Sequence, residues 1–289
     1  MSKSFLNPTE ITSAVISMGI SRGNEKNNMK TLISGFVAGM FIALAAIGNF
    51  TASQTLAQTF DVGFSKFIGA CIFPIGLMLC IFTGSSLFTG NSLLSLAFLS
   101  KELKFSNLVK NLTIVWIGNF LGSFFTAYLA FYAGVFNSPI IQKVFLDTGI
   151  SKIGLSFSQC VASGFFCNIL VVMGIIMAMS SNDVTGKILG CWFPIMLFVL
   201  CGYQHIVANM FIIAVGKILS PENFSLLDIF IKHFLPTTIG NFLSGGVFFH
   251  YFYIFHTIKK ILINNFLLIS KKAFYEIKII KSFFIFELF

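Results

Sequence analysis

Charge is scarce in this sequence. Only 10% of its 289 residues are charged, where a soluble globular domain carries roughly 25%. A water-soluble fold of this composition would have to bury apolar helices on every side, which a chain of this length cannot supply. Acids are scarcer than bases, 10 against 19, for a net charge of +9. That excess does not mark a nucleic-acid surface, because the basic residues flank apolar segments, where the positive-inside rule accounts for them. The six cysteines (Cys71, Cys80, Cys160, Cys167, Cys191 and Cys201) form no CxxC and no metal-ligand spacing, and they read as small packing residues. No catalytic triad, glycine-rich nucleotide loop or acidic pair is visible. An enzyme is therefore not expected, nor a cofactor or a metal. The first 30 residues lack an apolar core bounded by a small-residue cleavage site and do not resemble a removed signal peptide.

What the chain has is oil: 56% hydrophobic residues, 38 of them phenylalanine. Apolar segments run over 32–51, 67–99, 111–136, 157–180, 188–219 and 234–257. A bilayer crossing needs roughly 20 such residues as a helix. The second and fifth segments exceed one crossing and carry polar interruptions. Counting each as a single interrupted crossing gives an all-α polytopic membrane protein of six transmembrane helices with both termini on one side. With the termini inside, the inner segments hold Lys3, Arg22, Lys26, Lys30, Lys101, Lys104, Lys110, Lys187 and six lysines after residue 258. Only Lys66, Lys143, Lys152, Lys217 and Lys232 of the 19 basic residues then lie outside. This asymmetry predicts cytoplasmic termini, and the expected location is the plasma membrane. Residues 1–30 form a cytoplasmic leader or interfacial helix, 31–258 the membrane domain, and 259–289 a basic, Phe-rich cytoplasmic tail.

The membrane domain repeats itself. "CIFPI" at 71–75 returns as "CWFPI" at 191–195, an offset of 191 − 71 = 120. "SGF" opens both the first and the fourth segment, at 34–36 and 163–165, and "GNFLGSFF" at 118–125 resembles "GNFLSGGVFF" at 240–249. Gly84 precedes Asn91 by seven residues, as Gly202 precedes Asn209. Two repeats, about 31–136 and 157–258, follow. With three crossings each, the second is inserted upside down relative to the first. Inverted repeats with matched interrupted helices place a binding site near the midplane, where they meet.

The interruptions are "TGSSLFTGN" at 83–91 and "CGYQHIVAN" at 201–209. Non-helical backbone at membrane depth is tolerated only when buried in protein or lining an aqueous cavity. Opposed half-helix ends would aim free N–H groups and positive dipole ends at one point, which favours an anion. His205 is the one histidine well inside an apolar segment, and its place in a matched break favours function over packing. Histidine can hydrogen-bond an anion and exchange a proton with it. On spacing alone, Lys152 reads as an interfacial lysine, and Asn168 is as readily structural as functional. Phe73, Leu77, Leu87, Phe88 and Phe198 surround the breaks and could form dry constrictions. Gly35/Gly39 and Gly118/Gly122 permit close helix contact.

At the two breaks the sequence resembles the formate/nitrite transporter family. "GSSLFTGN" is similar to that family's Gly-Ser-(Asp/Glu)-Leu-Phe-Thr motif, and "GYQHIVANM" to its Gly-aromatic-Glu-His motif followed by Ala-Asn. The resemblance spans about residues 30–258. It implies an aquaporin-like protomer in a homopentamer, each protomer with its own pore. It implies that His205 is the central proton-exchanging residue with Thr89 as its partner. Lys152 would be the vestibule lysine and Asn168, further along, an asparagine the family keeps, Asn91 and Asn209 would border the pathway, and the five apolar residues would form two slits. Ser86 and Gln204 stand where the family keeps acids, and the repeat makes them equivalent (84 + 2 and 202 + 2). Small weak-acid anions are the implied cargo: formate first, with nitrite, hydrosulfide or a lactate-type monocarboxylate as alternatives. A water-like neutral-solute channel is the other transport reading.

Overall fold

A computed structural model of the chain describes residues 5–249 and 251. Lys3, the end of the sixth apolar segment and the whole of the basic tail lie outside the described residues.

Among the described residues the architecture is helical, with one isolated bridge between Phe5 and Ser181. Helix α1, Pro8–Gly23, starts where Asn7 and Glu10 form a reciprocal capping box and Pro8 takes the first turn. Helix α2 spans Asn28–Ser53 behind an Asn27 cap. Then come α3, Val62–Ile72, capped by Asp61, and α4, Ile75–Thr83. After a break the chain resumes as α5, Phe88–Leu99, which contains a 3-10 turn at Ser92–Leu94. Helix α6 covers Phe105–Tyr132, α7 Pro139–Ile153, and α8 Phe157–Ser180 with a Ser156/Gln159 capping box. Helix α9, Val184–Leu200, and α10, Ile206–Leu219, flank the second break. Residues 226–248 form a final helix with two π-helical turns, Ile229–Phe234 and Leu243–Phe248.

Four helical stretches are long and apolar enough to cross a membrane, by length and composition: Asn28–Thr59, Val62–Thr83, Phe105–Tyr132 and Phe157–Ser180. Their outward faces carry Phe64, Ile75, Phe82, Leu121, Phe125 and Leu129, all exposed. A helix apolar on its outside as well as its inside is a helix solvated by lipid.

Two particulars depart from the sequence reading. The two "FPI" copies differ: Pro74 splits the first helix into α3 and α4, while α9 runs through Pro194 without a break. Proline removes an N–H and crowds the preceding turn, and either a gap or a tolerated kink can absorb that. Cys201 is not a packing residue. It is exposed, because the chain has already left the helix there, whereas Cys80, Cys160, Cys167 and Cys191 are buried.

Helices α2 and α6 pack backbone to backbone through the predicted glycines. A Cβ on Gly39 would lie 2.3 Å from the Asn119 carbonyl oxygen, and one on Gly122 2.0 Å from that of Phe36. The other half repeats the device, where a Cβ on Gly240 would run into the Val161 carbonyl oxygen. Backbone cannot yield as a side chain can. Gly39→Leu and Gly122→Leu should each destabilise the fold by roughly 2–3 kcal/mol or more. In fluorescence-detected size exclusion we expect loss of the monodisperse peak, while Gly48→Ala, which meets only the Ile72 side chain, should retain it.

Candidate functional site

Each break begins with a glycine in the left-handed region, Gly84 and Gly202, both at φ +72°. A non-glycine residue is strained there. The chain then runs unwound over residues 84–87 and 201–205 before turning helical again at Phe88 and Ile206. These are shorter breaks than the polar residues alone imply.

Unwound backbone buried in protein must still find hydrogen-bond partners. In each break one asparagine serves a carbonyl of the break and the first N–H of the helix that follows. Asn119 donates from Nδ2 to the carbonyls of Gly35 (2.8 Å) and Ser86 (2.9 Å), and its Oδ1 accepts from Phe88 N at 2.8 Å. Asn241 does the same for the other break. It donates to Gly164 O (2.7 Å) and Gln204 O (2.9 Å) and accepts from Ile206 N at 2.9 Å. The first N–H of each re-entering helix is therefore already bonded and is not among the donors open to a ligand. Both asparagines belong to the recurring "GNF", which the sequence reading used only as a landmark.

His205 is 2% exposed and caps α10, its Nδ1 accepting from Ala208 N at 3.2 Å. That contact requires a bare Nδ1, so the neutral ring carries its proton on Nε2. Nε2 lies 3.0 Å from Thr89 Oγ1, which joins the two breaks across the protein interior. The Phe198 ring stacks on the imidazole at 5.7 Å and meets Phe73 edge-on at 5.8 Å. Asn168 sits behind Thr89 and donates to Thr89 O (3.3 Å), Ser92 Oγ (3.2 Å) and Asn241 O (2.7 Å). It ties α5 to the final helix and does not bond Lys152.

Two cavities approach this centre. One, of about 380 Å³, is lined by Lys152, His205, Asn209, Phe73, Phe198 and Tyr203, among others. The second, of about 230 Å³, is lined by Arg22, Lys187, Ser85, Leu77 and Leu87. Phe73 borders the first and Leu77 the second, so the barrier between them is about one helical turn thick. Phe88 is buried but lines neither. It borders a separate apolar groove with Trp116, Phe230 and Phe234.

Each cavity has a cation beside its break. Lys152 closes α7, which is not one of the four spanning stretches, and donates to Gln204 Oε1 at 3.0 Å. Among the described residues no carboxylate pairs with it. Burial pushes its ammonium down to about 8. At the other break Arg22 of α1 donates to Asn91 Oδ1 at 2.7 Å and to Gly84 O at 3.3 Å. Arg22, Asn111 and His233 were missed as site residues, because a single basic or amide residue carries no spacing signal, and Asn119 and Asn241 served only as repeat landmarks. Ser86 is buried and bonded to Ser34, Oγ to Oγ, at 3.1 Å.

The formate/nitrite transporter family profile matches residues 9–255. The chain belongs to that family. It is a multi-pass membrane transport protein of the anion-carrying kind, not an enzyme. A probable formate transporter from Methanothermobacter thermautotrophicus is 32% identical, over 86% of this chain and 96% of its own length. Among solved structures, an FNT family ion channel superposes with a TM-score of 0.79 at 28% identity, covering 86% of this chain and 99% of that one. A pentameric formate channel with formate bound gives 0.69 at 27% identity, over 80% and 97%.

In this transporter, Asn241→Leu removes every partner the second break has on the final helix. Each buried orphan costs about 1–3 kcal/mol, so a loss of at least about 3 kcal/mol is expected. Thermal unfolding in detergent reads it, with the surface change Asn107→Ala as the tolerated control.

Proposed function

We propose that this chain carries small monovalent weak-acid anions, formate foremost, across the plasma membrane, with a proton exchanged at His205. The observation that carries this reading is the 3.0 Å contact between Thr89 Oγ1 and His205 Nε2, made beside a cavity that also holds the Lys152 ammonium. Six crossings in two inverted repeats, with cytoplasmic termini, put Lys152 at the outer mouth and Arg22 at the inner one. Five protomers assemble as in the related pentameric formate channel.

The physics behind the reading is desolvation. A bare anion in an apolar slit is costly to hold, and a neutral acid is far less so. Lys152 draws the anion in, and Phe73, Leu77, Leu87 and Phe198, which line the two cavities, exclude water. The Nε2–H of His205 meets the anion with a hydrogen bond. A positive charge on the ring requires Nδ1 to release Ala208 N, so proton exchange is coupled to opening of that cap. Nitrite, hydrosulfide and lactate are conjugate bases of small acids and take the same route.

Ser86 and Gln204 leave the cationic mouths without neighbouring acids. Ser86→Glu with Gln204→Glu should therefore weaken anion uptake and shift its pH profile. Identical flux from pH 5 to 9 in the double variant rules this out.

Purified protein in liposomes supplies the main test. His205→Ala should abolish pH-dependent formate uptake, and swelling with osmolytes but no such uptake in the wild type would favour a neutral-solute channel. Lys152→Met should raise the external KM about tenfold, the order of one charge-assisted hydrogen bond. The lysine's attraction is complete well below pH 8 and fades as pH rises through about 8. Affinity in the wild type should fall over that range, and Lys152→Arg, charged throughout, should keep it to pH 9.

A further inference from the structure

The hydrogen bonds beyond Lys152 have a direction set by the chemistry of their donors. An ammonium can only donate, so the Gln204 atom 3.0 Å from Lys152 Nζ is its carbonyl oxygen, Oε1. That oxygen also lies 3.0 Å from Asn209, which must therefore present Nδ2 to it. The same Nδ2 is 2.8 Å from His233 Nε2, so that nitrogen is the bare one. The ring proton then sits on Nδ1, 3.5 Å from Cys160 Sγ, and the ring also faces the main chain of Lys152. Asn209 Oδ1 is left over. It has no hydrogen-bond partner among the described residues, on a side chain that is 1% exposed and borders the Lys152 cavity.

The other half contains a similar circuit, with an arginine as its cation, no intervening glutamine and an asparagine in the histidine's place. Arg22 donates to Asn91 Oδ1, Asn91 Nδ2 donates to Asn111 Oδ1 at 2.8 Å, and Asn111 Nδ2 returns to Arg22 O at 3.0 Å. The recurring "GNF" has an offset of 240 − 118 = 122, which sets His233 (111 + 122) opposite Asn111. Where one half closes on an amide, the other closes on an imidazole.

We propose that His233 is a positioning residue for the Lys152 mouth. Its bare Nε2 holds the Asn209 amide in one orientation and keeps Oδ1 as a hydrogen-bond acceptor at the cavity that Lys152 also lines. The ammonium recognises the anion, and Oδ1 recognises the O–H of its conjugate acid, so the mouth holds a small carboxylic acid in either protonation state. This rests on the reading of the chain as a small-acid transporter. The titratable and charged groups around the imidazole are Cys160 from α8 and Lys152 from α7. Asp228 and Lys232, on its own element, pair with each other at 2.9 Å. Helix α10 presents the neutral Asn209, and among the described residues no carboxylate bonds the ring.

The test uses full-length wild type, His233→Asn and His233→Leu in liposomes, with initial formate uptake measured from each face. It adds 15N spectra of histidine-labelled protein in detergent. We expect a neutral ring with bare Nε2 and protonated Nδ1, its signals absent in both variants. His233→Leu should raise KM about 3- to 10-fold from the Lys152 side, a larger change than in kcat, and leave KM from the Arg22 side alone. His233→Asn, which copies Asn111, should bring KM back to within twofold of wild type. The proposal is overturned by an Nε2–H tautomer, by an unchanged Lys152-side KM in His233→Leu, or by an equal KM rise from both faces in both variants. Should His233→Leu not fold, the tautomer and His233→Asn decide. A wild type that moves no formate, nitrite, hydrosulfide or lactate sinks the transport reading instead, and the spectra still report on His233.

Discussion

Everything at the centre of this transporter depends on one constraint: peptide groups taken out of a helix inside a membrane protein must be hydrogen-bonded by something else. Here the something else is a pair of asparagine side chains, Asn119 and Asn241. Each has two donors and one acceptor engaged, spent on one carbonyl in the break, one on the neighbouring helix, and the first N–H of the returning helix. Without them the unwound residues would be driven back into helix, and Thr89 and His205 would not face each other. Close glycine contacts between α2 and α6 are the second requirement, because Asn119 reaches Gly35 only when the two backbones nearly touch.

At each cavity one cation starts a short hydrogen-bonded circuit. Arg22 and Lys152 are each partly shielded by amide oxygens and, among the described residues, matched by no carboxylate. A carboxylate would neutralise the cation, whereas an amide orients it and leaves its charge. Between the circuits stand aromatic and aliphatic walls and one imidazole. The arrangement favours attraction at the mouths and a low-dielectric middle.

The sequence made a good part of this readable. Apolar runs without charge could only be membrane helices, and glycine followed by serine, threonine or asparagine in their middle could only be a break. Recurrence of the same landmarks then tied the breaks to each other. What was not readable were the partners. Asn119 and Asn241 looked like punctuation in a repeat, Arg22 like one of the basic residues of a leader, and His233, just before the last apolar segment, carried no signal at all. A hydrogen bond across 69 or 116 residues leaves no local pattern, because its spacing is set by how whole helices pack.

The sequence by itself determined the solvent, the helices, the positions of Gly84 and Gly202 and the chemical kinds of group near the breaks. These follow from hydrophobicity, φ preferences and side-chain type, all local properties. Tertiary structure alone decided which nitrogen of His205 faces Thr89, that Phe88 turns away from both cavities, and that Lys152 reaches Gln204 instead of solvent. Those outcomes depend on backbone approach at the glycines and on which donor reaches which acceptor first, and neither exists until the helices are in place.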